Sequence, residues 1–111
     1  MIFFSKYQGT GNDFIMIDNR DAQFRDWQDK SYIAQLCNRY TGIGADGLIL
    51  LENDPGYDFK MIYFNADGAE STMCGNGGRC IIAFARHLGL IVNETEFEAI
   101  DGVHFGKIEN I

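Results

Sequence analysis

At 111 residues, with 46% hydrophobic and 14% aromatic content, the chain can bury one modest core and no more than one domain. Nine basic against sixteen acidic residues give a formal charge of -7 with no basic cluster, which argues against a nucleic-acid surface and for a soluble protein. The three cysteines, Cys37, Cys74 and Cys80, fit neither a zinc pattern nor a secreted disulfide framework. No segment approaches membrane-spanning length, and the N-terminal MIFFSKYQGTGNDF lacks the basic leader and long apolar run of a signal peptide. A reducing cytoplasm is the expected setting.

Ile2 to Tyr7 and Phe14 to Asp18 read as two strands around the turn-forming Gln8-Gly9-Thr10-Gly11-Asn12-Asp13. After an irregular polar stretch through Asp29, the apolar positions Ile33, Leu36, Cys37 and Tyr40 fall at i, i+3, i+4 and i+7. They predict an amphipathic helix with Ser31 as its N-cap. Gly42-Ile43-Gly44-Ala45-Asp46-Gly47 breaks it, and Leu48 to Leu51 reads as a short buried strand before the Asn53-Asp54-Pro55-Gly56 turn. The alternation of Tyr57, Phe59, Met61 and Tyr63 with Asp58, Lys60 and Ile62 predicts a strand with one apolar face. Cys80 to Leu88, closed by Gly89, is apolar nearly all round, so it predicts a helix buried on most sides and placed centrally, with sheet wrapped about it. Thr95 to Ala99 and Val103 to Ile108 complete the chain as two strands about an Asp101-Gly102 turn. The resulting order β, β, α, β, β, α, β, β is α+β, with no linker, repeat or low-complexity tract.

The segment Asn65 to Arg79, NADGAESTMCGNGGR, places Cys74 among glycines and amides directly before the second helix. The N-H groups and dipole of a helix start favour negative charge, whether on a thiolate or on a ligand carboxylate. A dipole contribution of ~1 to 2 kcal/mol lowers a thiol pKa from about 8.5 by roughly one unit. The same segment also suits a tight turn in which Gly75, Gly77 and Gly78 allow close packing and Cys74 is a small buried hydrophobe. Asn12, Asn65 and Asn76 each lie in a glycine-containing loop, as turn residues or as amides able to donate to a carboxylate and accept from an ammonium group. Three such amides suggest an amino-acid ligand. Asp13, Asp46, Asp67 and Glu70 read as turn residues, although each is also a possible acid or base. His87 and His104 stand apart from any second ligand at metal spacing and read as structural or surface residues. Gly9-x-Gly11 and Gly42-x-Gly44 lack the strand-GxGxxG-helix and GK[ST] contexts of phosphate loops.

Taken together, GTGNDF at 9 to 14, GIGADG at 42 to 47, NADGAE at 65 to 70 and CGNGGR at 74 to 79 resemble diaminopimelate epimerase in order and spacing, across nearly the whole chain. The resemblance implies a mixed, mostly antiparallel sheet around a central buried helix, and identifies residues 1 to 111 as the N-terminal of two similar domains, the C-terminal one missing from this chain. It implies inversion of one α-carbon of LL-diaminopimelate to the meso form, without pyridoxal phosphate, metal or other cofactor, by two cysteines in the cleft between the domains. On that likeness Cys74 is one of the pair, Gly75 and Asn76 bind the reacting carboxylate through backbone N-H groups, and Asn12 and Asn65 hold substrate polar groups. Some members carry Gln where this chain has Gly47, so no contact is carried over there. Inversion needs a base and an acid on opposite faces of one carbon. Cys80, expected to be buried and to point away from Cys74, and Cys37, on another helix, do not qualify as the opposing thiol, which must then come from the second domain. The implied partners are a small amino-acid substrate and that domain, with a homodimer left open and neither nucleic acid nor membrane expected. A related proline or hydroxyproline racemase, and a non-catalytic binding or assembly module, are the alternative functions.

Overall fold

A computed structural model describes residues 2–9, 11–25, 29–72 and 75–108. Its elements are β1 (Ser5–Gln8), β2 (Asp13–Asp18), α1 (Lys30–Cys37), β3 (Gly47–Glu52), β4 (Phe59–Asn65), α2 (Gly75–His87), β5 (Glu94–Ala99) and β6 (Gly102–Lys107). The six strands form one sheet in chain order, with antiparallel pairs β1/β2, β3/β4 and β5/β6 and parallel pairs β2/β3 and β4/β5. Each parallel pair is joined across one helix, the connection that parallel neighbours require. The fold class is the expected one.

The two helices serve opposite faces of the sheet, and side-chain alternation divides the core between them. Phe14 and Met16 of β2, Ile49 and Leu51 of β3, Phe59 and Met61 of β4 and Phe97 of β5 meet Cys80, Ile81, Phe84 and Ala85 of α2. Ile15 and Ile17, Leu48 and Leu50, and Ile62 and Phe64 meet Ile33 and Cys37 of α1 on the other side. Strands β2 and β3 are therefore apolar on both faces, which is why FIMI and LILL read as continuous runs, whereas β4 has the expected apolar face and a mixed one, on which Lys60 is exposed and Ile62 and Phe64 are buried.

The sheet curls around α2 and touches it from both edges. On β1, Tyr7 meets Phe84 edge-to-face with ring centroids 5.6 Å apart. On β6, a Cβ added at Gly106 would lie 2.2 Å from Ile82 Cδ1, so glycine lets that strand close onto the helix without displacing the end of the Ile82 side chain. Helix α2 begins at Gly75, earlier than the expected Cys80, because packing of the buried Gly77 and Gly78 outweighs the low helix propensity of glycine. It ends in a Schellman motif, with Leu90 N-H donating to Ala85 O at 3.0 Å and Gly89 N-H to Arg86 O at 3.0 Å. One side of α2 is open: Ala83, Arg86 and His87 are exposed, so the helix is central but buried on its sheet-facing side only. The terminal Arg86 and His87 suit the negative end of its dipole.

Several boundaries move for local reasons. Strand β1 starts at Ser5, because the chain before it is held by the Gln23 amide, which accepts from Phe3 N-H at 3.0 Å and donates to Asp18 O at 2.9 Å. Asp29, in place of Ser31, caps α1 by accepting from Tyr32 N-H at 3.2 Å. That helix stops at Cys37, where the Asn38 side chain takes the N-H groups of Tyr40 at 2.8 Å and Thr41 at 3.1 Å, leaving Tyr40 97% exposed and off the helix. Tyr57 lies in the turn before β4, its N-H held by Asp54. Ala99 pairs with Gly102, so the hairpin loop is Ile100-Asp101. Among the described residues no helix is long and apolar enough to cross a membrane.

Strand β5 pairs with β4 over a short register, Phe59↔Phe97 and Lys60↔Glu98, extended by Asp58 N-H donating to Glu96 O at 3.0 Å and Thr95 Oγ1 to Asp58 Oδ2 at 2.8 Å, and the Phe59 and Phe97 rings stack over that junction at 4.9 Å and 8°. Phe97→Ala is expected to cost about 3 to 5 kcal/mol in urea unfolding. Hydrogen exchange in β5 and β6 should accelerate ahead of β2 and β3; uniform exchange across the sheet would contradict this assignment of the weak junction.

Candidate functional site

The topology delivers three glycine-containing loops and the start of α2 to one end of the sheet. β1 runs toward that end and β2 away from it; β3 is parallel to β2, and β4 returns antiparallel. Segment 9–12 thus precedes β2, 42–46 precedes β3, and 66–70 follows β4. The register aligns Phe14, Gly47 and Asn65 across the three strands. Gly75, the residue after Cys74 in the chain, opens α2.

Asn76 joins the start of α2 to the first of these loops. Its Nδ2 donates to Asn12 Oδ1 at 2.7 Å, and its Oδ1 accepts from the Arg79 guanidinium one turn along α2. Gly9 lies against it, with an added Cβ only 3.0 Å from Asn76 Cβ. Asn12 in turn donates through Nδ2 to Asp46 Oδ2 at 3.3 Å, so the loops before β2 and β3 and the start of α2 share one polar chain.

Beneath Asn12 the two parallel strands start on paired carboxylates. Asp13 N-H donates to Asp46 Oδ2 at 3.0 Å, and Asp46 N-H returns to Asp13 O at 2.9 Å. Arg39 bridges both, reaching Asp13 through two bonds of 2.7 and 3.2 Å and Asp46 through one of 3.2 Å. Lys6 Nζ lies 3.0 Å from Asp13 Oδ2 and also donates to Gly44 O. The Arg39 guanidinium, helped by Lys6, holds the Asp13 carboxyl well below the usual carboxylate range, against a smaller opposing effect of burial. The same bonds raise Arg39.

Of the expected site residues, Asn12 and Asn76 are thus in direct contact, and Gly75 is exposed at the start of α2. Asn65 ends β4, where its backbone closes the following turn by accepting from Gly68 N-H and donating to Ala69 O, each at 2.9 Å. Cys74 lies outside the described residues. Cys37 and Cys80 are both buried, on opposite faces of the sheet. Burial pushes the Cys37 thiol up to about 11, a value that keeps it protonated and unreactive at neutral pH. Cys80 is at the edge of a groove of about 490 Å³ between β1 and α2, lined also by Tyr7, Gln8, Gly9, Arg79 and Ala83. Burial, and secondarily Cys80, raises the Tyr7 hydroxyl there.

Reading Asp13 and Asp46 as turn residues missed their pairing with Arg39, and the importance of Lys6, Gly9 and Arg79 was not visible either. A signal was present: Asn-Asp-Phe and Ala-Asp-Gly place an aspartate one residue before Phe14 and Gly47, which prove to be register partners on parallel strands.

A family model described as "Diaminopimelate epimerase" matches residues 4–107. A diaminopimelate epimerase from Flavobacterium psychrophilum is 64% identical over 103 residues, covering 93% of this chain and 40% of that protein. One from Aquifex aeolicus is 43% identical over 108 residues, covering 90% of this chain and 39% of that protein. The chain therefore spans about 40% of the length of these curated relatives. Among solved structures, a Bacillus anthracis phenazine biosynthesis protein of the PhzF family has a TM-score of 0.69 at 17% identity, covering 99% of this chain and 36% of its own. A methylitaconate-delta-isomerase reaches 0.71 at 12% identity, covering 98% of this chain and 35% of its own. At such identities the likeness is one of fold.

The Asp13 pairing has a measurable sign. An unfolded Asp titrates near about pH 3.9, and the folded carboxyl below that, so between the two the unfolded state binds more protons and stability rises with pH. The contribution is complete above the unfolded value and is lost as pH falls through the folded one. Asp13→Asn should therefore lower the urea midpoint at pH 7 and flatten its fall between about pH 5 and pH 2. An unchanged acid slope would refute the assigned pairing.

Proposed function

Because the chain belongs to the diaminopimelate epimerase family, we propose that it is the N-terminal domain of an epimerase that inverts one α-carbon of diaminopimelate, supplying one of two cysteines to the reaction. The observation that carries this reading is the position of Gly75. Gly75, which follows Cys74 in the sequence, lies at the described start of α2, at the end of the sheet from which β2 and β3 set out.

In this mechanism the substrate α-carboxylate is held by backbone N-H groups of Gly75 and Asn76, at the partially positive start of α2. Asn12 and Asn65 bind the polar groups of the substrate, including its ammonium groups, through amides that both donate and accept. The Cys74 thiolate removes the α-proton from one face, and a thiol on the opposite face delivers a proton to the resulting carbanion; in the reverse direction the roles exchange. Carboxylate binding at a helix start favours the negative charge that develops beside it. No redox step is needed: one C-H bond breaks and another forms at the same carbon.

A base and an acid on opposite faces cannot both come from this chain's described cysteines, since Cys37 and Cys80 are buried in separate halves of the core. The second thiol is assigned to a C-terminal domain, in keeping with relatives about two and a half times as long. The chain alone then binds the substrate incompletely and leaves inversion unfinished.

The test is exchange of the substrate α-hydrogen with solvent deuterium by the full-length protein. Cys74→Ala should reduce both exchange and epimerisation by a factor of about 10³ or more, while Cys37→Ala retains them. Exchange that survives Cys74→Ala overturns the assigned role. In the folded chain iodoacetamide should modify Cys74 before Cys37 or Cys80; the reverse order would contradict an activated thiol at that position.

A further inference from the structure

The hydrogen bonds that join Asn76 to Asn12 run in one direction. The Arg79 guanidinium donates to Asn76 Oδ1, Asn76 Nδ2 donates to Asn12 Oδ1 at 2.7 Å, and Asn12 Nδ2 donates to Asp46 Oδ2 at 3.3 Å. The two ends are chemically unlike. A guanidinium has donors only, and an ionised carboxylate has acceptors only, whereas a carboxamide carries a donor and an acceptor of nearly equal shape. Between neutral ends each amide is free to face either way. Between these ends, turning Asn76 over would place its NH2 against the Arg79 donor and its oxygen against Asn12 Oδ1, and would break two bonds at once.

Both ends are themselves anchored. Asp46 is held by Asp13 N-H at 3.0 Å and by Arg39 at 3.2 Å, and Arg79 is carried on α2, one turn beyond Asn76. The chain of bonds links positions 64 residues apart in sequence, and joins the loops before β2 and β3 to the start of α2. Bonds arranged in series polarise one another, so a charge removed at one end is felt at the other.

We propose that Asp46 and Arg79 are positioning residues that set the facing of the Asn12 and Asn76 amides as a unit, and so fix which atoms these two residues present to a bound amino acid. Neither charged group touches the ligand. The relay itself follows from the hydrogen bonds alone; what the amides then bind rests on the epimerase reading above. Asn12 uses one N-H and one lone pair within the relay, and its second N-H and second lone pair are thereby given fixed directions. The ionic ends also explain how the loop before β2 holds a defined arrangement although Gly9 and Gly11 give its backbone wide conformational freedom.

The test uses the full-length protein with its asparagine side-chain amides labelled with 15N. Asp46→Asn keeps the shape of the side chain but gives it a donor, and Arg79→Met removes the opposite end at an exposed position. The expected result is that Asp46→Asn shifts or broadens the NH2 signals of Asn76, which it does not touch, as well as those of Asn12. Arg79→Met should do the same to Asn12 from the other end, while Arg79→Lys, which still donates, preserves both pairs. Signals that change only at the directly bonded neighbour overturn the relay, and the Arg79 pair of variants decides the matter if Asp46→Asn does not fold. In turnover, Asp46→Asn and Arg79→Met should each raise KM for diaminopimelate by about three- to tenfold, the loss of one oriented hydrogen bond. Remote NMR coupling in a protein that neither binds nor turns over diaminopimelate would leave the relay standing and defeat the epimerase reading. Normal turnover without remote coupling would do the opposite.

Discussion

Phe14, Gly47 and Asn65 stand side by side on β2, β3 and β4, and the alternation of side chains along those strands holds them there. A slip of one residue would exchange every inward-facing side chain between the two halves of the core, putting Ile15 and Leu48 where Phe14 and Ile49 now meet α2. Both faces of these strands are packed, so the register is specified twice. The ends of the loops inherit that precision. Asp13 and Asp46, one step before Phe14 and Gly47, meet because the strands behind them cannot move.

From this follows a division of labour between apolar and polar contacts. Apolar packing determines where each loop leaves the sheet, through residues such as Ile49, Phe84 and Phe97 that are almost wholly inaccessible to water. The polar contacts act only over the last few ångströms, joining loops that packing has already brought together. Arg39, although exposed, matters in this second role. Its three bonds to Asp13 and Asp46 neutralise two carboxylates that would otherwise repel each other at the start of adjacent strands.

Most of the architecture was legible in the pattern of apolar residues. Leu48 to Leu51 announced a buried strand, and the apolar run from Cys80 announced the helix on which the sheet closes. Where the pattern misled, local side-chain chemistry decided the outcome: Asn38 ended α1 before Tyr40, and buried glycines carried α2 back to Gly75 against their own propensity. The site was legible in part for a different reason. Asn12 and Asn76 stood out as amides among glycines, but nothing local shows that residues 64 apart will bond to each other. Arg39 and Arg79 were invisible as anchors because an arginine on a helix or loop carries no mark of the partner that tertiary structure will give it. Cys74, the residue that drew most attention in the sequence, lies outside the described residues, and its role rests on its neighbours.

Strand order in the sheet is the same as strand order in the chain. Each new strand therefore pairs with one that has already been made, and none has to wait for a partner still to come. Growth of the sheet is directional, from β1 outward, and the sequence separation that must be closed at each step is no longer than one crossover helix and its loops. Short separations favour rapid assembly. For a chain synthesised from its N-terminus, the part of the α2-binding surface built from β1 to β4 is in place before that helix emerges, and the β5–β6 hairpin closes the rest of it as the last piece to dock.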